Sequence, residues 1–205
     1  MTVLVLDLDG VVVRGHPDGG RWDKDIARDF GLSPEHLQTR FFQKYWREIE
    51  IGNADLFDVL TRVWPELECR GDPRAFVGYW FANDSLLDTD VLAEVDAWRA
   101  AGGAAYLATV QEHHRARYIW NDLNLSAHFD GIVYSAALGA KKPQAAFYER
   151  AHAKLPAGSP ADVLFLDDRQ DNVDAANAFG WRGYLHRDVT DLRTALATCR
   201  PGHIL

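Results

Sequence analysis

Cysteine and methionine are scarce in this chain, with two of the first and one of the second among 205 residues. Cys69 and Cys199 form neither a metal-type spacing nor a disulfide framework, which excludes a small bridged scaffold and fits a reducing, cytoplasmic setting. No apolar run is long enough to cross a bilayer. The N-terminus has no basic stretch before its apolar run, and acids interrupt that run at once, so no signal peptide is expected. Positive charge is also short: 22 Lys and Arg stand against 30 Asp and Glu, a net charge of -8. That balance argues against nucleic acid or an anionic membrane as the main partner. A small anionic ligand stays open, because a pocket can be positive within an acidic protein.

What remains is an ordinary globular composition, 47% hydrophobic and 25% charged, enough for one buried domain or a core with a small insert. No internal repeat or low-complexity segment interrupts it. The chain is organised around Val3-Leu4-Val5-Leu6-Asp7-Leu8-Asp9-Gly10. A continuous apolar run of this kind reads as a strand buried on both faces of a parallel sheet. Asp7 and Asp9 are two apart and are expected to leave it on one side. Buried carboxylates need water, a cation or a basic side chain nearby, a divalent metal being the strongest candidate.

Residues 15 to 85 carry helical signals. Gly31 stops one helix, Ser33-Pro34-Glu35 opens the next, and further apolar faces run from Leu56 to Val63 and beyond Pro73. From Asp88 onward, strand and helix alternate. Strands are expected at 104–109, 131–135, 163–167 and near Tyr184, with a helix opening at Pro143. Such alternation predicts an α/β fold, a doubly wound parallel sheet whose ligand sits at the carboxyl ends of the strands. The helical block would be inserted at that edge.

Polar residues collect at the same strand ends: Thr109, Lys142 before Pro143, and Asp167-Asp168 with Asn172. Each alone reads as a strand-end hydroxyl, a solvated lysine or a helix cap. Together with Asp7 and Asp9, four carboxylates ask for a cation, and a hydroxyl with a lysine suits phosphate.

In this order and spacing the residues resemble the haloacid dehalogenase-like hydrolase superfamily along the whole chain. Asp7-Leu8-Asp9-Gly10 is similar to its first motif, Thr109 to its second, Lys142 to its third and Asp167-Asp168 to its fourth. The resemblance implies a Rossmann-like core over 1–14 and 86–205, with 15–85 as a helical cap. It implies a Mg²⁺-dependent phosphatase acting on a small phosphorylated metabolite, a sugar phosphate being one such class, as a monomer or homodimer. Asp7 would be the nucleophile and Asp9 the acid and base. Asp7, Asp9 (through its backbone carbonyl), Asp168 and, behind a water, Asp167 would hold the metal. Thr109, Val110 through its backbone N–H, and Lys142 would hold the phosphoryl group, Lys141 being the alternative lysine. Val110 departs from the family pattern, which has Asn there. The rivals are a phosphomutase, a dehalogenase and a catalytically weak phosphate-binding protein.

One stretch outside the motifs stands out. Arg40 to Arg47 packs three cations and several aromatics into little more than two turns. These aromatics are expected either to form the core of the helical block or, with Lys44 and Arg47, to meet the substrate.

Overall fold

The structure is a computed structural model and describes residues 2–16, 18 and 20–199. Five parallel strands form one sheet: β1 (Val3–Leu6), β2 (Ala104–Thr109), β3 (Gly131–Tyr134), β4 (Val163–Asp167) and β5 (Arg182–Leu185). Their spatial order is β3-β2-β1-β4-β5, so the first strand lies in the middle. All four of its residues are fully buried, as an unbroken apolar run requires when helices cover both faces. The alternation of side chains divides the core in two. Leu4 and Leu6 pack on one face with Val91, Ile119 and Leu192, whereas Val3 and Val5 pack on the other with Phe147, Phe165 and Trp181.

Between β1 and β2 the chain first forms five helices: α1 (Ile26–Phe30), α2 (Pro34–His36), α3 (Gln43–Glu50), α4 (Leu56–Val63) and α5 (Pro73–Asn83). Asp55 and Asp72 accept the first backbone N–H groups of α4 and α5, caps worth about 1 kcal/mol each. These helices share their own apolar cluster, centred on Ile26, Phe41, Leu60 and Phe76. The path out and the path back lie side by side. Arg14 donates to the Leu86 carbonyl at 2.7 Å, and Leu86 to the Gly15 carbonyl at 2.9 Å.

The remaining helices are α6 (Thr89–Ala100), α7 (His113–Asn121), α8 (Ser135–Leu138), α9 (Ala145–His152), α10 (Gln170–Phe179) and α11 (Val189–Ala197). The α/β architecture matches the expectation, with two local corrections. Ser135 opens α8 rather than ending β3. Pro143 does not begin a helix, because residues 141–144 close a turn in which Gln144 donates to the Lys141 carbonyl and accepts from the Lys141 N–H. A third difference lies in the helical block. Leu37–Phe42 is wound as a π-helix, which rotates the following side chains relative to a regular 3.6-residue count. Phe41 is buried, while Phe42 and Trp46 reach the wall of a chamber described below.

Candidate active site

Parallel register brings the polar strand ends together. Leu6 lies opposite Leu107 and Leu166, so Asp7 emerges between the ends of β2 and β4 and donates its backbone N–H to the Leu166 carbonyl at 2.9 Å. A crevice of about 420 Å³ opens there, lined by Asp7, Asp9, Thr109, Val110, Lys142 and Asp168 among others. Asp7 and Asp9 line it together, although Asp7 is buried and Asp9 is exposed. Gly10 allows the chain to turn with φ of +80°, and a Cβ there would collide with the Asp168 carboxylate.

Lys142 is the charge centre. Its Nζ stands 2.8 Å from Asp7 Oδ1 and 2.5 Å from Asp167 Oδ2, with almost no solvent contact. Against desolvation, the carboxylates of Asp7 and Asp167 hold this ammonium above its usual range. Desolvation likewise pushes the Asp7 carboxyl up; Lys142 pulls it down, and the charges of Asp167 and Asp9 add to the rise. One lysine for several carboxylates leaves negative charge unbalanced. Asp7, Asp167 and Asp168 each offer an oxygen, and these oxygens lie within 4.8 Å of one another. An all-carboxylate set of this size fits a hard divalent cation.

The two neighbouring acids of β4 are not equivalent. Asp167 is fully buried and its oxygens are already engaged, Oδ2 by Lys142 and Oδ1 by the Arg169 N–H and the Asn172 amide, both at 2.9 Å. Asp168 is exposed and lines the crevice. Desolvation and the charge of Asp167 raise its carboxyl above the usual range.

Thr109 is fully buried and its Oγ1 has no hydrogen-bond partner among the described residues, yet it lines the crevice. An unpaired buried hydroxyl costs about 1–3 kcal/mol, an expense that a bound oxyanion would relieve. Val110 is half-buried beside it.

Sequence reasoning missed four residues here. Gln111, two positions after Thr109, donates its amide to Asp9 Oδ2 at 2.6 Å. Desolvation pushes Asp9 up to about 6, with the charge of Asp84 adding and that of Arg115 opposing. Arg115 is itself buried, donating to the backbone carbonyl of Phe81 at 2.9 Å and to that of Asp84. Glu50, at the end of α3, lines the crevice and pairs with Lys141. These partners come from separate elements, so nothing in local spacing announces them. Of the stretch from Arg40 to Arg47, no residue lines this crevice, and Lys44 and Arg47 are exposed.

The chain is similar to several known proteins. Over 198 residues the chain is 27% identical to the sesquiterpene phosphatase astK of Aspergillus oryzae, covering 95% of this chain and 91% of that protein. Its fold is similar to a predicted HAD-like hydrolase from Porphyromonas gingivalis (TM-score 0.78, 16% identity, 98% of this chain and 99% of that one). A HAD family enzyme from Bacteroides thetaiotaomicron, solved with magnesium and inorganic phosphate, gives a TM-score of 0.75 at 14% identity, covering 90% of this chain and 93% of that one. At such identities the structural likeness speaks for the fold alone. Residues 1–180 match the haloacid dehalogenase-like hydrolase family, and the chain belongs to it.

Proposed function

We propose that this hydrolase removes phosphate from a small phosphorylated metabolite, with Asp7 as the nucleophile. The observation that carries the reading is the meeting of Asp7, Lys142 at 2.8 Å and the unpartnered Thr109 hydroxyl around one crevice. An Asp7 oxygen attacks phosphorus and the bond to the leaving oxygen breaks, while protonated Asp9 gives that oxygen its proton. The phosphoryl group is then carried as an aspartyl-phosphate. Water attacks it, Asp9 takes the proton, and inorganic phosphate departs with the Asp7 carboxylate restored. Lys142 and Thr109 hold the phosphoryl oxygens, with the Val110 N–H as a further donor. Gln111 keeps the Asp9 carboxylate in place.

Asp7 and Asp168, with the Asp9 carbonyl, would hold Mg²⁺, and Asp167 would act behind a water because its oxygens are occupied. When bound, such an ion offsets repulsion between the carboxylates and the substrate phosphate. The fungal relative's phosphatase activity and the magnesium and phosphate held by the Bacteroides enzyme support this choice of chemistry. We further take 1–14 and 86–205 as the catalytic core and 15–85 as a cap. The separate apolar cluster of the helical block and the reach of Glu50 into the crevice support that division. The unpaired Cys69 and Cys199 support a cytoplasmic location, and no helix among the described residues is long and apolar enough to cross a membrane.

The test is hydrolysis of an aryl phosphate with Mg²⁺, followed by a panel of phosphorylated metabolites. Turnover that EDTA removes and Mg²⁺ restores is expected. Tight phosphate binding without turnover of any monoester would favour the phosphate-binding alternative instead.

A further inference from the structure

One further cavity shares residues with the crevice and a third shares one with that cavity in turn, and these shared walls give a direction. A corridor of about 380 Å³ is lined by Asp9 and Gly10, which also line the crevice, together with Val13, Arg14, Gly15 and Asp84. Asp84 in turn lines a chamber of about 820 Å³ in the helical block. The order is therefore crevice, Asp9, corridor, Asp84, chamber. On the phosphatase reading, the acid that protonates the leaving oxygen must stand on the leaving-group side of phosphorus. Asp9 has that place and faces the corridor. The rest of the leaving group then points toward the chamber.

One wall of the chamber is aromatic, and most of the rest of its lining is polar. Trp22 stacks on Trp80 with ring centroids 5.1 Å apart, Trp46 lies 5.4 Å from Trp80, and Phe42 contacts both Trp46 and Trp80. The rings pack against one another, forming a continuous wall rather than a cage around a point. Its charged lining is mostly acidic: Asp23, Glu35 and Asp84 stand against Arg21, which is tied to Asp23 at 2.8 Å. A second phosphate or a carboxylate would be repelled there. The cations Lys44 and Arg47, on the same helix as Trp46, do not line it.

We infer that the chamber receives an uncharged, elongated aliphatic leaving group, so that the substrate is the phosphate monoester of a long-chain alcohol. This inference rests on the phosphatase reading. The chamber volume lies within the ordinary range for small-molecule sites, and an aromatic wall rewards apolar surface in proportion to the area covered. A choline-like cation, the other chemistry that aromatic rings take, calls for rings around a point, and these rings pack on one another as a wall instead.

The experiment compares kcat/KM for methyl, butyl, octyl and decyl phosphate, with glucose 6-phosphate and phosphocholine alongside, all below micelle formation and at one Mg²⁺ concentration. A rise of about a hundredfold or more from methyl to decyl is expected, since each buried methylene contributes several-fold. Trp46→Ala should cut the decyl-to-methyl ratio at least tenfold, and Trp46→Phe should restore part of it. Gln43→Trp, on an exposed lining residue, should fill the chamber and cut the same ratio without removing any core contact. A flat series with hydrolysis intact, or a lead for glucose 6-phosphate or phosphocholine, overturns the inference and leaves the phosphatase reading standing. If no monoester is hydrolysed, the phosphatase reading fails. The chamber is then judged by decanol binding through tryptophan fluorescence: saturable binding weakened by Gln43→Trp supports it, and no response overturns it.

Discussion

The crevice and the aromatic chamber are built on opposite plans. The crevice is polar, and Asp7, Thr109 and Asp168 come from the ends of short, largely buried strands, where sheet register leaves little freedom. The chamber has one aromatic wall and a largely polar remainder, and most of its residues come from helices, one of them wound as a π-helix. The two meet through Asp9 and Asp84. The difference teaches that the chemistry of this hydrolase is placed by backbone pairing, whereas the surroundings of its leaving group are placed by side-chain packing. Changes in the crevice should act on every substrate alike. Changes in the chamber should act according to what the substrate carries.

The largest effect is expected from Asp7→Asn. Removing the proposed nucleophile should lower turnover by four or more orders of magnitude on short and long substrates equally, because enzymes supply very large accelerations to monoester hydrolysis. The fold should persist, since Lys142 keeps Asp167 at 2.5 Å. Steady-state rates with circular dichroism check both halves of the statement. Unequal losses across substrates would break the division between crevice and chamber.

Lys142→Met comes next, and it tests stability as well as rate. It leaves Asp7 and Asp167 facing each other without their shared cation, a change that costs about 3–5 kcal/mol when a buried ion pair is broken. Added Mg²⁺ should raise the Tm of this variant more than that of the wild type, because the ion would take over part of the neutralisation. Equal shifts in thermal melts would deny that the cation and Lys142 act on the same carboxylates.

A smaller and sharper contrast lies inside the crevice. Asp168→Ala should raise the Mg²⁺ concentration for half-maximal activity about tenfold or more, while Asp167→Ala should do so less and cost more stability. The reason is that Asp168 is exposed to the crevice, whereas Asp167 is fully buried and bonded to Lys142, Arg169 and Asn172. Metal titrations and urea melts on both variants decide it, and a reversed order would exchange their roles.

The same contrast explains what was legible in the sequence. The strand Val3–Leu6, the turn at Gly10 and the polar residues at 109, 142 and 167–168 could be read directly, because a buried parallel strand has a short, unmistakable pattern and its ends face one edge. The helix end at Gly31 carried its own signal as well. Gln111, Arg115 and Glu50 could not be read, since each acts through a partner from another element. Trp46 was ambiguous for a different reason. A helix presents the same periodic aromatics to a core and to a chamber. Spacing alone does not separate those two environments.

The smallest effect expected concerns acid stability, and it separates the α/β part from the helical block. His186, just beyond β5, is fully buried, and neither ring nitrogen has a hydrogen-bond partner among the described residues. The histidines of the helical block that are described, His16 and His36, are only half-buried. Desolvation holds His186 below its usual value of 6.5, Arg14 pushing the same way and Asp191, Asp88 and Asp188 opposing. The unfolded chain therefore binds a proton at this residue more readily than the folded one. Stability from its neutral burial is complete above about pH 6.5 and is lost as pH falls toward the lower folded value, by up to about 1.4 kcal/mol per pH unit across that window. His186→Leu should remove this loss, so its urea midpoint should fall less than that of the wild type between about pH 7.5 and pH 5. Matching acid losses in the two proteins would show that the destabilising protonation occurs elsewhere.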